Sequence, residues 1–322
     1  MNEISVSIVV VSWNSLPFLR TCLDSILGQV YRPISVVVID NASEDGTQEW
    51  ITKNYPGILL KCCDKNLGFA FALNEGIRTT DAPFILSVNP DVILRPDCLG
   101  HLVKVMLEAP KVGIIAPKLL RSENNQVLDS TGLFINRSRC PYDRGQGELD
   151  HGQYDQSRKI FGACGALALY RREMFEELAV NNEYFDEDFF AYYEDADLAW
   201  RAQLCGWQAI YEPLAVGSHV RGWGDSLRKQ RKKNPTGPRL ALRNRYLMSV
   251  KNDRVSSFII DFPIIFASEV PRLLYAAIYM PPVLLGIFDF FKLFQRMVQK
   301  RRYLWGKEMV KKSNFRPWIM EL

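Results

Sequence analysis

Short apolar runs alternate with stretches of helical spacing through the first third of the chain, and this alternation restricts the fold more than any other feature. The runs are Val6–Val11, Ile34–Ile39, Ile58–Cys62, Phe84–Val88 and Val112–Ala116. Runs of this length, continuous or nearly so, predict strands buried on both faces. Between the first two, Phe18, Leu19, Cys22, Leu23, Ile26 and Leu27 share one side of a helix that Ser15 would cap. Another helix is predicted from Gly68 to Thr80, carrying Phe71, Ala72, Asn74 and Ile77, and Pro96 opens one through Leu99, Leu102, Val103 and Met106. The pattern predicts an α/β fold with a doubly wound, mostly parallel sheet. Ligands of such sheets sit at the carboxyl ends of the strands.

Beyond the fifth run, Leu120 to Lys159 is polar, Gly-containing and weakly periodic, and reads as an irregular surface excursion of the kind that can form a lid. Order resumes at Ile160–Tyr170, and the aromatic-acidic segment Phe185–Trp207 turns helical in its second half. From Val255 to Phe294 the chain is strongly apolar, but charges and Pro281-Pro282 interrupt it. A membrane span needs about 20 apolar residues, so helices lying in the plane of a membrane surface fit better than a crossing one. Packing of these helices on the main domain or on a second subunit is the alternative. The expected division is therefore a domain over residues 1–250 and a helical appendage over 251–322.

The net charge of +4 is small, but its distribution is uneven. Eleven Lys and Arg against two acids fall between Arg221 and Arg254, and a second basic run spans Arg296 to Lys312. The last third of the chain is thus the part suited to an anionic partner. The seven cysteines show no CxxC spacing and read as reduced, buried fillers of a cytosolic protein. The amino terminus enters a strand almost at once, so no signal peptide is expected.

Four polar clusters follow apolar runs or open a helix. They are Ser12-Trp13-Asn14, Asp40 to Thr47, Asn89-Pro90-Asp91, and Glu194-Asp195-Ala196-Asp197. Each alone has a plain explanation: a turn, a helix cap, or acids favoured at a helix amino terminus with Asp197 and Arg201 paired at i,i+4. Together they set several carboxylates and an aromatic on one rim, a coincidence that purely structural roles do not require.

Taken in order, VSIVVVSWN (Val6–Asn14), VVVIDNASEDGT (Val36–Thr47), NLGFAFALNEG (Asn66–Gly76), LSVNPDV (Leu86–Val92), GACGALALYRRE (Gly162–Glu173), YYEDADLAWR (Tyr192–Arg201), His219 and RNRY (Arg243–Tyr246) resemble glycosyltransferase family 2, notably its rhamnosyltransferase-like bacterial members. The resemblance implies a GT-A fold and an inverting transfer of a sugar from a UDP- or dTDP-sugar, with rhamnose the best single choice. It implies that Trp13, Asp40 and Asn41 hold base and ribose, and that Asn66 and Gly68 approach the nucleotide closely. Asn89-Pro90-Asp91 stands where the family has its DxD motif. Asp91 and His219 would ligate Mn2+ or Mg2+, with Asn89, which carries no charge, contacting ribose or water. Asp195 would be the catalytic base with Glu194 as its substitute, because inverting transfer needs one carboxylate to take the acceptor's proton. Gly162, Ala163 and Cys164 would shape the sugar pocket, and Arg243, Asn244 and Arg245 would meet diphosphate. The expected acceptor is a glycan or a polyprenyl-diphosphate-linked one, the expected location the inner face of the plasma membrane. A homo-oligomer is compatible with this reading.

Other classes fit less well. A nucleotidyltransferase needs a Gly-rich, basic loop after the first strand, and Ser12 to Pro17 is not one. The GxGxxG of a dinucleotide oxidoreductase is also missing there. Nucleic acid is a poor partner for a rim rich in carboxylates. A catalytically idle binding scaffold is the remaining alternative, and Asp91, Asp195 and His219 argue against it.

Overall fold

The computed structural model describes residues 4–220, 235–308, 310 and 318. Its first half is the expected alternation: β1 (Val6–Ser12), α1 (Leu16–Leu27), β2 (Ile34–Asp40), α2 (Thr47–Asn54), β3 (Leu59–Cys62), α3 (Phe69–Arg78), β4 (Phe84–Val88), a short β5 (Val92–Leu94), α4 (Cys98–Glu108) and β6 (Val112–Arg121). Alternate residues of β1 serve opposite cores. Val9 and Val11 pack with α3 residues such as Ala72, Leu73 and Ile77, while Val6, Ile8 and Val10 pack with Leu19, Leu23 and Ile26 of α1. Gly76 lets α3 lie on β1, since a Cβ there would stand 2.2 Å from Val9 Cγ1. One expected strand differs: β3 is largely exposed, because it forms the sheet edge beside β2.

The segment expected to be irregular is built instead of short strands. These are β7 (Asn124–Ser130), β8 (Leu133–Ile135), β9 (Pro141–Asp143) and β10 (Lys159–Ile160). Turns between them conceal the strands from a periodicity reading, and Arg144 ties the region together. Its guanidinium donates to Thr131 and lies over the rings of Phe134, Tyr154 and Tyr211. The chain continues through β11 (Leu167–Arg171), α5 (Arg172–Leu178), α6 (Glu194–Leu204) and β12 (Gln208–His219). The main sheet runs β10-β12-β6-β11-β4-β1-β2-β3, with β5 on β12 and β7 on β6. It is parallel from β4 to β3; β11 then enters antiparallel between β4 and β6.

Three helices close the chain: α7 (Thr236–Asn252), α8 (Val255–Tyr279) and α9 (Leu285–Gly306). The boundary expected at residue 250 falls inside α7. Leu247, Met248, Met297 and Leu304 share one apolar cluster with α6 and the sheet. Buried ion pairs add to this seam. Lys251 meets Asp197 at 2.8 Å and also pairs with Asp186, while Lys300 meets Asp186 at 2.5 Å and Glu183 at 2.9 Å. By contrast α8 presents Phe258, Ile259, Phe262, Phe266 and Ile278 to the outside. Among the described residues no helix is long and apolar enough to cross a membrane. Of the basic runs, Arg221, Arg228, Lys229, Arg231, Lys232, Lys233, Lys311 and Lys312 lie outside the described residues. The cysteines are free thiols. Only Cys22, Cys98 and Cys205 are buried, whereas Cys62 is exposed and Cys63, Cys140 and Cys164 are half-buried.

Candidate active site

The carboxyl ends of β1 and β2 are laced to each other before any ligand is considered. Asn14 N–H donates to Ser43 Oγ at 2.9 Å, and Glu44 N–H to Asn14 Oδ1 at 2.8 Å. The expected cap of α1 by Ser15 is not made; Ser15 donates to the Trp13 carbonyl instead. Asp45 takes over, accepting from Leu16 N–H at 3.0 Å while also accepting from Thr47 at the start of α2. Burial works against ionisation of Asp45, but these hydrogen bonds outweigh it and hold its carboxyl below the ordinary value. Part of the acidic cluster after β2 is thus a structural brace.

Asp40 and Asn41 are buried at the tip of β2. Asp40 Oδ2 accepts from Ser43 N–H and Gln48, while its Oδ1 has no partner among the described residues. Asn41 accepts from Leu67 N–H and donates to Asn66 Oδ1 and the Gly68 carbonyl. Its amide is consumed in shaping the turn into α3. Gly68 (φ +92°) is required by a different neighbour from the one expected. A Cβ there would stand 2.5 Å from the Phe190 carbonyl oxygen. Trp13 lies at the rim, 56% exposed, with its ring free to stack.

A cavity of ≈ 450 Å³ opens beside this rim, lined by Phe69, Asn89, Cys164, Tyr193, Glu194, Asp195 and His219 among others. Glu194 and Asp195 reach it from the first turn of α6. The approach loop is strained, with Phe190, Tyr192 and Tyr193 at φ 65°, 72° and 72°, at a cost of about 1–3 kcal/mol each. Asn244 offsets this by donating to the carbonyls of Phe189, Ala191 and Tyr192 at 2.7–2.9 Å. Asp195 is aimed by two backbone amides, Gly165 N–H at 2.9 Å and Ala196 N–H at 2.7 Å. Burial raises both carboxyls above their ordinary values; Asp195 adds to the rise at Glu194, and the amide bonds restrain that of Asp195. Neither acid has an ion pair with Lys or Arg among the described residues. A half-desolvated carboxylate without a cation is a competent proton acceptor.

His219, at the end of β12, joins the third cluster to this cavity. Its Nε2 lies 3.5 Å from Asp91 Oδ2, and its Nδ1 lies 2.7 Å from Oδ2 of buried Asp129. Burial would lower the imidazole pKa, but Asp129 and Asp91 more than offset it and hold it at about 9. Asn89 Oδ1 and Asp91 Oδ1 are buried oxygens without a partner among the described residues. Among those residues no group of three or more His, Cys, Asp or Glu side chains is placed to hold a metal ion. Asp91 and His219 nevertheless suit a cation site that substrate and water complete. Asp91 Oδ2 and His219 Nε2 are neighbours, Asn89 lines the same cavity as His219, and Asp129 fixes the imidazole from behind. Hard divalent cations bound through few side chains leave their other positions to water and substrate phosphates.

Other expected residues stand elsewhere. Gly162 packs on Ala199 of α6 and Ala163 is buried in the core, so of that trio only Cys164 lines the cavity. Arg243 donates to the Asp188 and Phe189 carbonyls, and Arg245 is paired with Glu269 at 2.5 Å. Neither guanidinium lines the catalytic cavity. Asn244, expected beside the two arginines at the diphosphate, is instead spent on the carbonyls of the loop before α6. Asp129 carried no expectation, because it sits within the unassigned excursion.

Residues 7–179 match the profile of Glycosyl transferase family 2. The chain belongs to that family. It is 28% identical over 238 residues to the N-acetylglucosaminyl-diphospho-decaprenol L-rhamnosyltransferase of Mycobacterium tuberculosis, covering 66% of this chain and 75% of the relative. It is 22% identical over 213 residues to the poly-beta-1,6-N-acetyl-D-glucosamine synthase of Staphylococcus aureus, covering 66% of this chain and 48% of that protein. Among solved structures, a mannosyltransferase from Pyrobaculum calidifontis, in complex with GDP-Man and Mn2+, superposes with a TM-score of 0.57 at 19% identity. The superposition covers 94% of this chain and 86% of that one. The family member thus has the GT-A fold, a mixed sheet with helices and a C-terminal helical region, and is a glycosyltransferase.

Proposed function

We propose that this glycosyltransferase moves a hexose or deoxyhexose, rhamnose being the first choice, from a UDP- or dTDP-sugar to a glycan or lipid-linked acceptor, with inversion at the anomeric carbon. The observation that carries the mechanism is the pair Glu194–Asp195, without a Lys or Arg partner among the described residues, raised by burial and facing the same cavity as Asn89 and His219. Asp195 takes the proton of the acceptor hydroxyl as its oxygen attacks the anomeric carbon. The bond from that carbon to the diphosphate breaks on the opposite face, and the diphosphate leaves with the electron pair. Asp91 and His219, with Asn89 beside them, would hold a divalent cation that neutralises charge on the departing diphosphate. Asp129 keeps the imidazole oriented, Trp13 stacks on the base, and Asp40 Oδ1 is free to accept from its N–H edge. The C-terminal helices would rest on the cytoplasmic face of a membrane through the exposed apolar side chains of α8.

The test is a screen of UDP-, dTDP- and GDP-sugars for thermal stabilisation and slow hydrolysis, with Mn2+ and then with EDTA. One donor should stabilise the protein and turn over only with the cation. Full turnover in chelator would remove Asp91 and His219 from metal duty, and no stabilisation by any donor would end the nucleotide-sugar reading.

A further inference from the structure

Beside the catalytic cavity lies a second one, larger at ≈ 640 Å³ and chemically its opposite. Its walls come from α7, α8 and α9, with Val255, Phe258, Ile265, Ile287, Phe290, Phe291 and Phe294 among the apolar residues. Of the charged groups that line it, Arg301 is spent on the Val250 and Asp253 carbonyls and the others form ion pairs. Arg245 pairs with Glu269, and Arg139 with Asp253 at 2.7 Å. The volume falls in the range of about 300–1,000 Å³ typical of small-molecule sites.

The two cavities are separated by a single residue along the chain. Arg139 lines the apolar one, Pro141 lines the catalytic one, and Cys140 lies between. Two guanidiniums converge on that divide. Arg245 Nη1 lies 3.1 Å and Arg272 Nη1 2.8 Å from Cys140 Sγ. Arg245 is buried and committed to Glu269, but the Arg272 side chain is 42% exposed and its carboxylate neighbour is 3.9 Å away. From one side to the other, the order is therefore a proton-accepting carboxylate, an accessible cation, and an apolar trough.

We propose that the trough between α7, α8 and α9 holds the hydrocarbon chain of a lipid-diphosphate-linked acceptor, whose diphosphate meets Arg272 and whose sugar reaches Asp195. This rests on the glycosyltransferase reading above and names the acceptor class for the same site. The order of chemistries matches such a molecule from end to end. A bare glycan would leave the trough empty, and a flat membrane contact would use the outer face of α8 rather than a recess between three helices. Phe266 marks that outer face: it is 57% exposed and does not line the trough.

Farnesyl diphosphate, below its micellar concentration, is a suitable probe, titrated calorimetrically into the full-length chain beside farnesol and inorganic diphosphate. The intact protein should bind farnesyl diphosphate at least about tenfold more tightly than either fragment. Phe291→Asp and Arg272→Glu should each weaken that binding about tenfold or more, whereas Phe266→Asp should leave it unchanged. Stabilisation by dTDP or UDP with Mn2+ reports on the donor side alone and should survive all three substitutions. Equal losses from Phe266→Asp and Phe291→Asp would overturn the proposal in favour of a general apolar contact with membrane or a second copy. Farnesyl diphosphate binding no tighter than inorganic diphosphate, with nucleotide binding intact, would overturn the trough and leave the enzyme reading standing. Farnesyl diphosphate binding without any nucleotide binding would support the trough and defeat the enzyme reading instead.

Discussion

Glu194 and Asp195 share one short stretch of chain with Asp186 and Asp197, yet the two pairs live in opposite surroundings. Asp186 and Asp197 face Lys251, Lys300 and Arg201, and Asn252 donates to Asp197 at 2.8 Å. Burial disfavours the charge on Asp186, but the two lysines outweigh it and hold that carboxyl well below the ordinary range. Glu194 and Asp195 have backbone amides and each other, and burial raises both. Burial alone therefore does not separate a structural acid from a reactive one. The presence of a cation does. Paired acids bolt α6 to α7 and α9, and those without a Lys or Arg partner among the described residues remain able to take a proton.

Asp195→Asn breaks the contrast from the reactive side and should have the largest effect. Turnover should fall about 10³-fold, within the range for loss of a general base, while nucleotide binding persists. Melting temperature should hold or rise, because an uncompensated buried charge is removed. Unchanged turnover would retire Asp195 as the base.

Lys300→Met tests the structural side. It takes the cation from Asp186, Glu183 and Asp188 at once, and removing one partner of a buried pair costs about 3–5 kcal/mol. Urea unfolding should show that loss, while turnover per folded molecule stays close to that of the parent. A stable but inactive variant would mean that the paired cluster serves the chemistry directly.

Asp129→Asn should act on a smaller scale and on the cation alone. The half-saturating Mn2+ concentration should rise about 10–100-fold, as expected when the group that orients a ligating histidine is weakened. The turnover reached at saturating Mn2+ should change little. An unaltered Mn2+ dependence would show that the contact with His219 is only structural.

Asp129 also shows where single-sequence reading stops. Five strands of the first half, β1 to β4 and β6, were legible because each is a continuous or nearly continuous apolar run, and Asp40, Asn89 and Asp91 follow directly from where those runs end. Asp129 stands beside His219 only because β7 and β12 both flank β6, with Leu119 opposite Ser130 and Arg121 opposite His219. No local pattern encodes that pairing across 90 positions. Arg243 and Arg245 were misplaced for a related reason. Their charge was visible, but the carbonyls and the carboxylate that engage them lie on segments far along the chain. Gly68 was recognised as special, and the neighbour that demands it, Phe190, is a non-local contact of the same kind.

The finest test uses pH, because the two pairs of acids should tilt stability in opposite directions. Asp186 has its folded pKa lowered, so its contribution is present above the unfolded value of about 3.9 and is lost as pH falls below it. Asp195 and Glu194 have theirs raised, so the folded state holds more protons than the unfolded chain between the ordinary and the raised values. Stability from that pair must then decline as pH rises through this interval, by about 1.4 kcal/mol for each pKa unit of difference. Asp195→Asn should flatten this decline while leaving the loss in acid intact, and Lys300→Met should weaken the acid loss while preserving the decline. Turnover of the parent should fall on the acid side above the range of an ordinary aspartate. An acid limb near pH 4, with no effect of Asp195→Asn on the stability profile, would mean that a cation stands beside Asp195 and that the two acid pairs are physically alike.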